Sequence, residues 1–118
     1  MIIGKITINA STDSSLFHIR KAESFFERGR GLLGCRELKE GHGMLISPCN
    51  SIHTLCMKIP IDVVFLSKEQ QILAIRYNMA PQRFTRCSGA SSVLELMDGQ
   101  IRLSGLQKGD TLIWEPLQ

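Results

Sequence analysis

Short apolar stretches separated by polar turns run along the chain. Most of them alternate apolar with polar residues at the period of two that marks a half-buried β-strand. Residues 2–9 (IIGKITIN) set Ile2, Ile6 and Ile8 largely on one face and Ile3, Lys5 and Thr7 on the other. The polar run ASTDSS predicts a turn, after which residues 16–20 (LFHIR) complete a hairpin. Further strands are predicted over 44–47, 52–57, 61–67, 71–78, 91–97 and 111–115, with MDGQ and KGD as turns and 101–106 as a short segment of no clear type.

One stretch has a different period. In KAESFFERGRGLLGC, Ala22, Phe25, Phe26, Leu32 and Leu33 recur at roughly helical spacing. Glu23 and Glu27 lie near its start, where the helix dipole favours anions, and Gly34 supplies a stop. Seven or eight short strands with a single helix predict a mainly β (α+β) fold: a small jelly-roll-like β-barrel or sandwich with one packed helix.

Length and composition narrow the function classes. The 118 residues suit one domain, spanning 1–118. A chain of this length buries about two thirds of its unfolded surface and needs neither disulfide nor metal to fold. A formal net charge of +3 is too small to imply nucleic acid or a membrane surface. No apolar run approaches the roughly 20 residues that cross a bilayer. The N-terminus reads as a first strand, with no basic head before a long apolar stretch, so a cytoplasmic location is expected. There thiols stay reduced, and Cys35, Cys49, Cys56 and Cys87 read as free.

Candidate chemistry concentrates in CNSIHTLCMKIPIDVVFL, which holds Cys49, His53, Cys56 and Met57 within nine residues. On a helix these four positions would share a face. The β-branched Ile52, Thr54, Ile59, Ile61, Val63 and Val64 favour strand instead, and Pro60 would break a helix that continued. On a strand over 52–57, His53, Leu55 and Met57 face one way and Ile52, Thr54 and Cys56 the other. Cys49 would then lie about 13 Å from His53 at roughly 3.3 Å per residue. Zinc bonds of about 2.0–2.3 Å cannot gather ligands so dispersed. A metal site requires a turn at PCNS that folds Cys49 back, with Cys87 or Cys35 arriving from elsewhere. A nucleophile would need a cysteine thiolate with His53 and Asp62 in hydrogen-bond reach. Buried cysteine acting as a small hydrophobe is the commoner state, and Met57 is more often core filler than a copper ligand.

The segments GLLGCRELKEGHGMLI, IHTLCMKIPIDVVFL, GASSVLELMDG and GLQKGD, taken in order, resemble the bacterial and archaeal family called domain of unknown function 192. The resemblance covers about residues 22 to 114. Matching positions are Gly31, Leu32, Met44, His53, Met57, Pro60, Asp62, Glu95, Gly99, Gly109 and Asp110. It implies a compact, mostly β, jelly-roll-like domain with one helix, and it implies no activity. Many members carry Trp-Met-Lys-Asn where this chain has Cys56-Met57-Lys58-Ile59, and many resemble exported or lipid-anchored proteins.

The leading expectation is a non-enzymatic module that binds a small molecule or a protein partner, with His53, Met57, Asp62 and Glu95 as ligand-binding candidates. Paired ionisable groups beside an apolar wall are where proton affinities shift. The plainer alternative has Asp62 bracing a turn and His53 satisfied by backbone. Glu95 alternates with Val93 and Met97, so its carboxylate must be exposed or partnered. A second expectation is a thiol- or metal-dependent hydrolase using His53 with Asp62, or a metal on Cys49, His53 and Cys87. A third is anion or RNA binding through Arg76, Arg83 and Arg86, which lie beside Tyr77 and Phe84 in a stretch without acidic residues. No cofactor is expected, and neither nucleic acid nor membrane is the expected partner.

Overall fold

The structure is a computed structural model describing residues 2–22, 40–54 and 57–117, without the side chains of 12–15 and 17. The predicted helix over 22–34 falls almost wholly outside these residues. Nine strands are described: β1 (Ile2–Ile8), β2 (Ser11–Ala22), β3 (Gly43–Ile46), β4 (Ser51–His53), β5 (Ile61–Leu66), β6 (Ile72–Met79), β7 (Phe84–Arg86), β8 (Ser92–Met97) and β9 (Leu112–Pro116). One short helix, α1 (Gln100–Ser104), follows β8. The expected class, a mainly β barrel-like fold with one helix, is the observed one, although the described helix is Gln100–Ser104, in the stretch the sequence left without a type.

Seven strands form one sheet in the order β6-β5-β8-β3-β2-β1-β9, and β4 pairs with β7 in a separate ribbon. All pairings are antiparallel except β2 with β3. The sheet curls until its outer strands approach at an isolated bridge between Gln71 and Thr111. Ile72 N–H donates to Asp110 O and Leu112 N–H to Gln70 O, closing a half-barrel at that corner. Partial closure of this kind shortens the unpaired edges that a flat sheet would expose.

The hairpin between β1 and β2 turns at Asn9 and Ala10, both at positive φ, and not over ASTDSS. Two consecutive residues at positive φ match the right-handed twist of the strands they join. Ser11 therefore pairs with Ile8 and already belongs to β2. Asn9 then ties this turn to the far edge, accepting from Thr111 N–H at 2.8 Å.

Each face of the sheet has its own core. Inside the curl lie Ile6, Ile8, Leu16, Ile19, Leu45, Val64, Leu66, Ile72, Leu94, Leu96, Ile101, Leu106 and Leu112. Outside it, Met44, Ile46, Ile61, Val63, Phe65 and Val93 pack with Ile52 from the ribbon and with Met57 and Met79. Every residue of β5 is buried as a result, which is why IDVVFL is nearly continuous in apolar character. At about 1.5–3 kcal/mol per fully buried large side chain, these two layers dominate the folding free energy.

Gly4 marks a close approach. A Cβ there would overlap the Trp114 ring and the Glu115 carbonyl. The missing side chain lets the indole lie across β1, where Trp114 Nε1–H donates to Ile19 O at 2.9 Å. Gly4→Ala is expected to destabilise the fold by about 1–3 kcal/mol, as overpacking does. Urea unfolding followed by the emission of Trp114 checks this, and an unchanged midpoint with unchanged emission refutes the close approach.

Candidate functional site

The segment that concentrated the candidate chemistry is pulled apart by the fold. β4 ends at His53, and Thr54 leaves the ribbon, so the predicted strand over 52–57 is too long. Thr54 is the reason. It is fully buried, its hydroxyl donates to Ala80 O at 2.7 Å, and it accepts from Arg83 N–H at 2.7 Å. Thr54 N–H also donates to Arg83 O. These bonds fix the chain to the 80–83 loop and stop the ladder.

His53 is exposed on the outer side of the ribbon, opposite the exposed Phe84. Met57 instead packs in the outer core beside Ile52, so the predicted shared face of His53 and Met57 does not exist. Cys49 and Cys87 are half-buried and packed against the same core. Among the described residues no three His, Cys, Asp or Glu side chains gather where they could hold a metal ion.

Asp62 and Glu95 face opposite sides of the sheet. Asp62 pairs with Leu96 and points with it to the inner core, whereas Glu95 pairs with Val63 and Met44 and points outward. Both are almost completely buried. The surface expected to combine His53, Asp62 and Glu95 is therefore not formed.

Asp62 is a brace. Its Oδ1 accepts from Asn78 N–H at 2.9 Å, and its Oδ2 accepts from Gly99 N–H and Ile101 N–H, each at 3.1 Å. Gly99 caps α1 in the left-handed conformation and has no side chain to cap with. Asp62 supplies from β5 the anion that a helix N-terminus favours. With both oxygens so engaged, the carboxylate is not placed to orient His53.

The three arginines do not converge either. Arg76 Nε–H donates to Thr85 Oγ1 at 3.2 Å, and its guanidinium lies over Phe65. Arg83 and Arg86 are exposed on either side of Phe84, and Tyr77 is covered by Arg102 instead.

A cavity of 140 Å³ lies elsewhere, at the mouth of the curl, lined by Lys21, Leu45, Ser47, Gln70, Ser92, Ile113 and Trp114. The register explains the grouping. Lys21 pairs with Leu45, Ser92 with Leu66 and Trp114 with Ile6, so Lys21, Ser92 and Trp114 share the inner face with core residues. α1 packs Ile101 into the inner core near Asp62, at the opposite end of β5 from Leu66. One end is thus plugged and the other is a polar-rimmed opening.

The mouth carries specific chemistry. Lys21 Nζ lies 5.1 Å from the centroid of the Trp114 ring, a cation–π distance. Ser92 is 4% exposed, and among the described residues its hydroxyl has no hydrogen-bond partner. None of these residues was singled out in the sequence. The readable signal was SVLELM, where Ser92 alternates onto the face of Leu94 and Leu96.

The sequence and fold were compared with known proteins. A model of the domain of unknown function 192 family, described as "Uncharacterized ACR", matches residues 6–114. A crystal structure of a protein of unknown function from Novosphingobium aromaticivorans superposes with a TM-score of 0.83 at 24% identity, covering 95% of this chain and 85% of that one. A Sinorhizobium meliloti protein provisionally named a transcription regulator superposes with a TM-score of 0.83 at 21% identity, covering 95% and 93%. Identities this low establish a shared fold alone. No curated protein matches the chain. Among the described residues no helix is long and apolar enough to cross a membrane.

Asp62→Asn is expected to lower stability by about 2 kcal/mol, because a neutral amide cannot accept from three N–H groups as the carboxylate does. Thr54→Val is expected to cost a similar amount by leaving the Arg83 N–H and Ala80 carbonyl unsatisfied. Chemical denaturation of each variant checks the pair, and wild-type midpoints would show that neither group braces the fold.

Proposed function

For a chain that belongs to the domain of unknown function 192 family, whose description assigns no activity, we propose a non-enzymatic binding module that takes a small molecule into the mouth of its half-barrel. The observation that carries this reading is the buried Ser92 hydroxyl, without a hydrogen-bond partner among the described residues, in a cavity also lined by Lys21 and Trp114. Burying a hydroxyl unpaired costs about 1–3 kcal/mol. A ligand that draws the hydroxyl toward the cavity recovers that loss.

The site has the composition of a small-molecule pocket in miniature. Leu45, Ile113 and Trp114 give an apolar wall, and Lys21, Ser47, Gln70 and Ser92 give a few polar groups to orient what rests on it. Mouths of β-barrels are a common location for such sites. The indole is held by its bond to Ile19 O and by its seat over Gly4, so the wall is formed before a ligand arrives. The cytoplasm, where Cys49 and Cys87 would persist as thiols, is the compartment we assign.

A fragment screen by amide chemical-shift perturbation on the wild-type protein tests the proposal. Hits are expected to move Lys21, Leu45, Ser47, Gln70, Ser92 and Ile113 together with the indole N–H of Trp114. Perturbations centred on His53, Arg83 and Phe84 would transfer the function to the ribbon and reject the mouth.

A further inference from the structure

The net charge of +3 averages over an uneven distribution. Residues 41–61 and 70–94 contain no aspartate or glutamate, and their full charges are the cations of Lys58, Arg76, Arg83 and Arg86. These segments supply β3, β4, β6 and β7, and so the whole of the two-stranded ribbon. Asp62 and Glu95, the acidic residues that follow them in sequence, are buried in the sheet.

The ribbon has two unlike faces. Ile52 turns inward to the outer core, which leaves the cross-strand pairs Ser51–Arg86 and His53–Phe84 on the side away from the sheet. Phe84 is 66% exposed. Arg83 and Arg86 are exposed on either side of it, and Arg83 Nη1–H donates to the neutral carbonyl of Gln82 at 3.3 Å. Arg76 reaches the ribbon from β6 through its bond to Thr85, the partner of Ile52. None of these side chains lines the mouth cavity, so this is a second surface. We propose that the outer face of the ribbon binds single-stranded nucleic acid, with one base stacked on Phe84 and backbone phosphates on Arg83 and Arg86.

The spread of the arginines favours this class. Guanidinium groups that do not converge cannot enclose one small anion. From 83 to 86 the strand covers about 10 Å at roughly 3.3 Å per residue, which suits a polyanion whose charges come at intervals. An exposed ring between two cations is the sequence-tolerant unit of single-strand binding, because every base has a face to stack while the backbone carries the charge. A duplex keeps its base faces against one another and offers Phe84 none. An acidic protein segment would satisfy the arginines and leave the ring without a role. His53, directly across the ladder from Phe84, presents a second planar ring on the same side.

The test is the fluorescence anisotropy of a fluorescein-labelled twelve-nucleotide oligothymidylate, titrated with the full chain at several salt concentrations. An oligouridylate of the same length is expected to bind alike, because a base face and phosphates are common to both. For two or three phosphates met, the logarithm of affinity should fall against that of salt with a slope of about −1.4 to −2. Arg83→Gln and Arg86→Gln should each make that slope shallower by about 0.7. Phe84→Ala and Phe84→Leu should weaken binding roughly tenfold, and Phe84→Tyr should retain it. Because Phe84 is exposed, its variants are expected to keep the wild-type Trp114 emission and unfolding midpoint.

Wild-type affinity in Phe84→Ala would leave charge alone and overturn the base contact. An oligoglutamate of equal charge binding as tightly as the oligothymidylate would give the face to an acidic protein segment instead. Tighter binding of a duplex overturns the single strand. No saturable rise in anisotropy at low salt overturns the proposal outright, and fragment binding at the mouth bears on none of these results.

Discussion

The buried carboxylate of Asp62 is the constraint on which the arrangement depends. A curled sheet fills its interior readily with apolar side chains, but its ends bring turns and helix termini whose N–H groups need partners. Asp62 answers this at one end by accepting from Asn78, Gly99 and Ile101. A charge that deep would be strongly unfavourable alone, and charge-assisted bonds to three fixed donors offset its desolvation. A helix of five residues has no stability of its own. Its place over the barrel end, and the seating of Ile101 in the inner core, follow from that anchor.

The parallel pairing of β2 with β3 accounts for the opposite end. It carries Lys21 alongside Leu45 at the place where both strands leave the sheet, next to Ser92 at the start of β8. The hairpin and the β9 pairing then bring Trp114 across Gly4 toward the same place. Four strands distant in sequence thus contribute to one small opening. The ribbon of β4 and β7 has a different task on the outer face, where Ile52 joins Met44, Met57, Met79 and Phe65, and where flexible methionines fill the irregular space between two layers.

How far the sequence spoke depended on the range of the interaction. Strand positions and the mainly β class were legible because the alternation of IIGKITI and the short, β-branched or leucine-rich apolar runs IDVVFL and SVLELM are local signals. The bracing role of Asp62 was available as the plainer alternative, although its partners proved to be Asn78 and the start of α1 and not the neighbouring turn. The end of β4 was not legible, because it is set by bonds from Thr54 to residues 26 and 29 positions away. The same holds for the face of Glu95, whose alternation with Val93 was readable while the side on which Asp62 lay was fixed only by cross-strand register. Strand 84–86 was missed because three residues give no period to read. The cavity was hidden for a related reason: Lys21, Ser92 and Trp114 are unremarkable singly and become a site only through pairing.

Natural folds are consistent across levels, with local pattern, packing and polar satisfaction agreeing, and departures from that agreement cluster where function needs them. Most buried polar groups here comply. Asp62, Thr54 and Gln100 are each bonded to fixed partners, and each holds two elements together. Ser92 departs from the rule. It occupies an inward position that alanine or valine would fill without an unpaired hydroxyl, on a strand whose next two inward residues are Leu94 and Leu96. Among the described residues its hydroxyl makes no hydrogen bond. Its one structural context is the opening that Lys21 and Trp114 also line. On the proposed reading, a group that weakens the fold slightly and lies beside a cation and an aromatic wall has its explanation in a ligand, not in what it packs against.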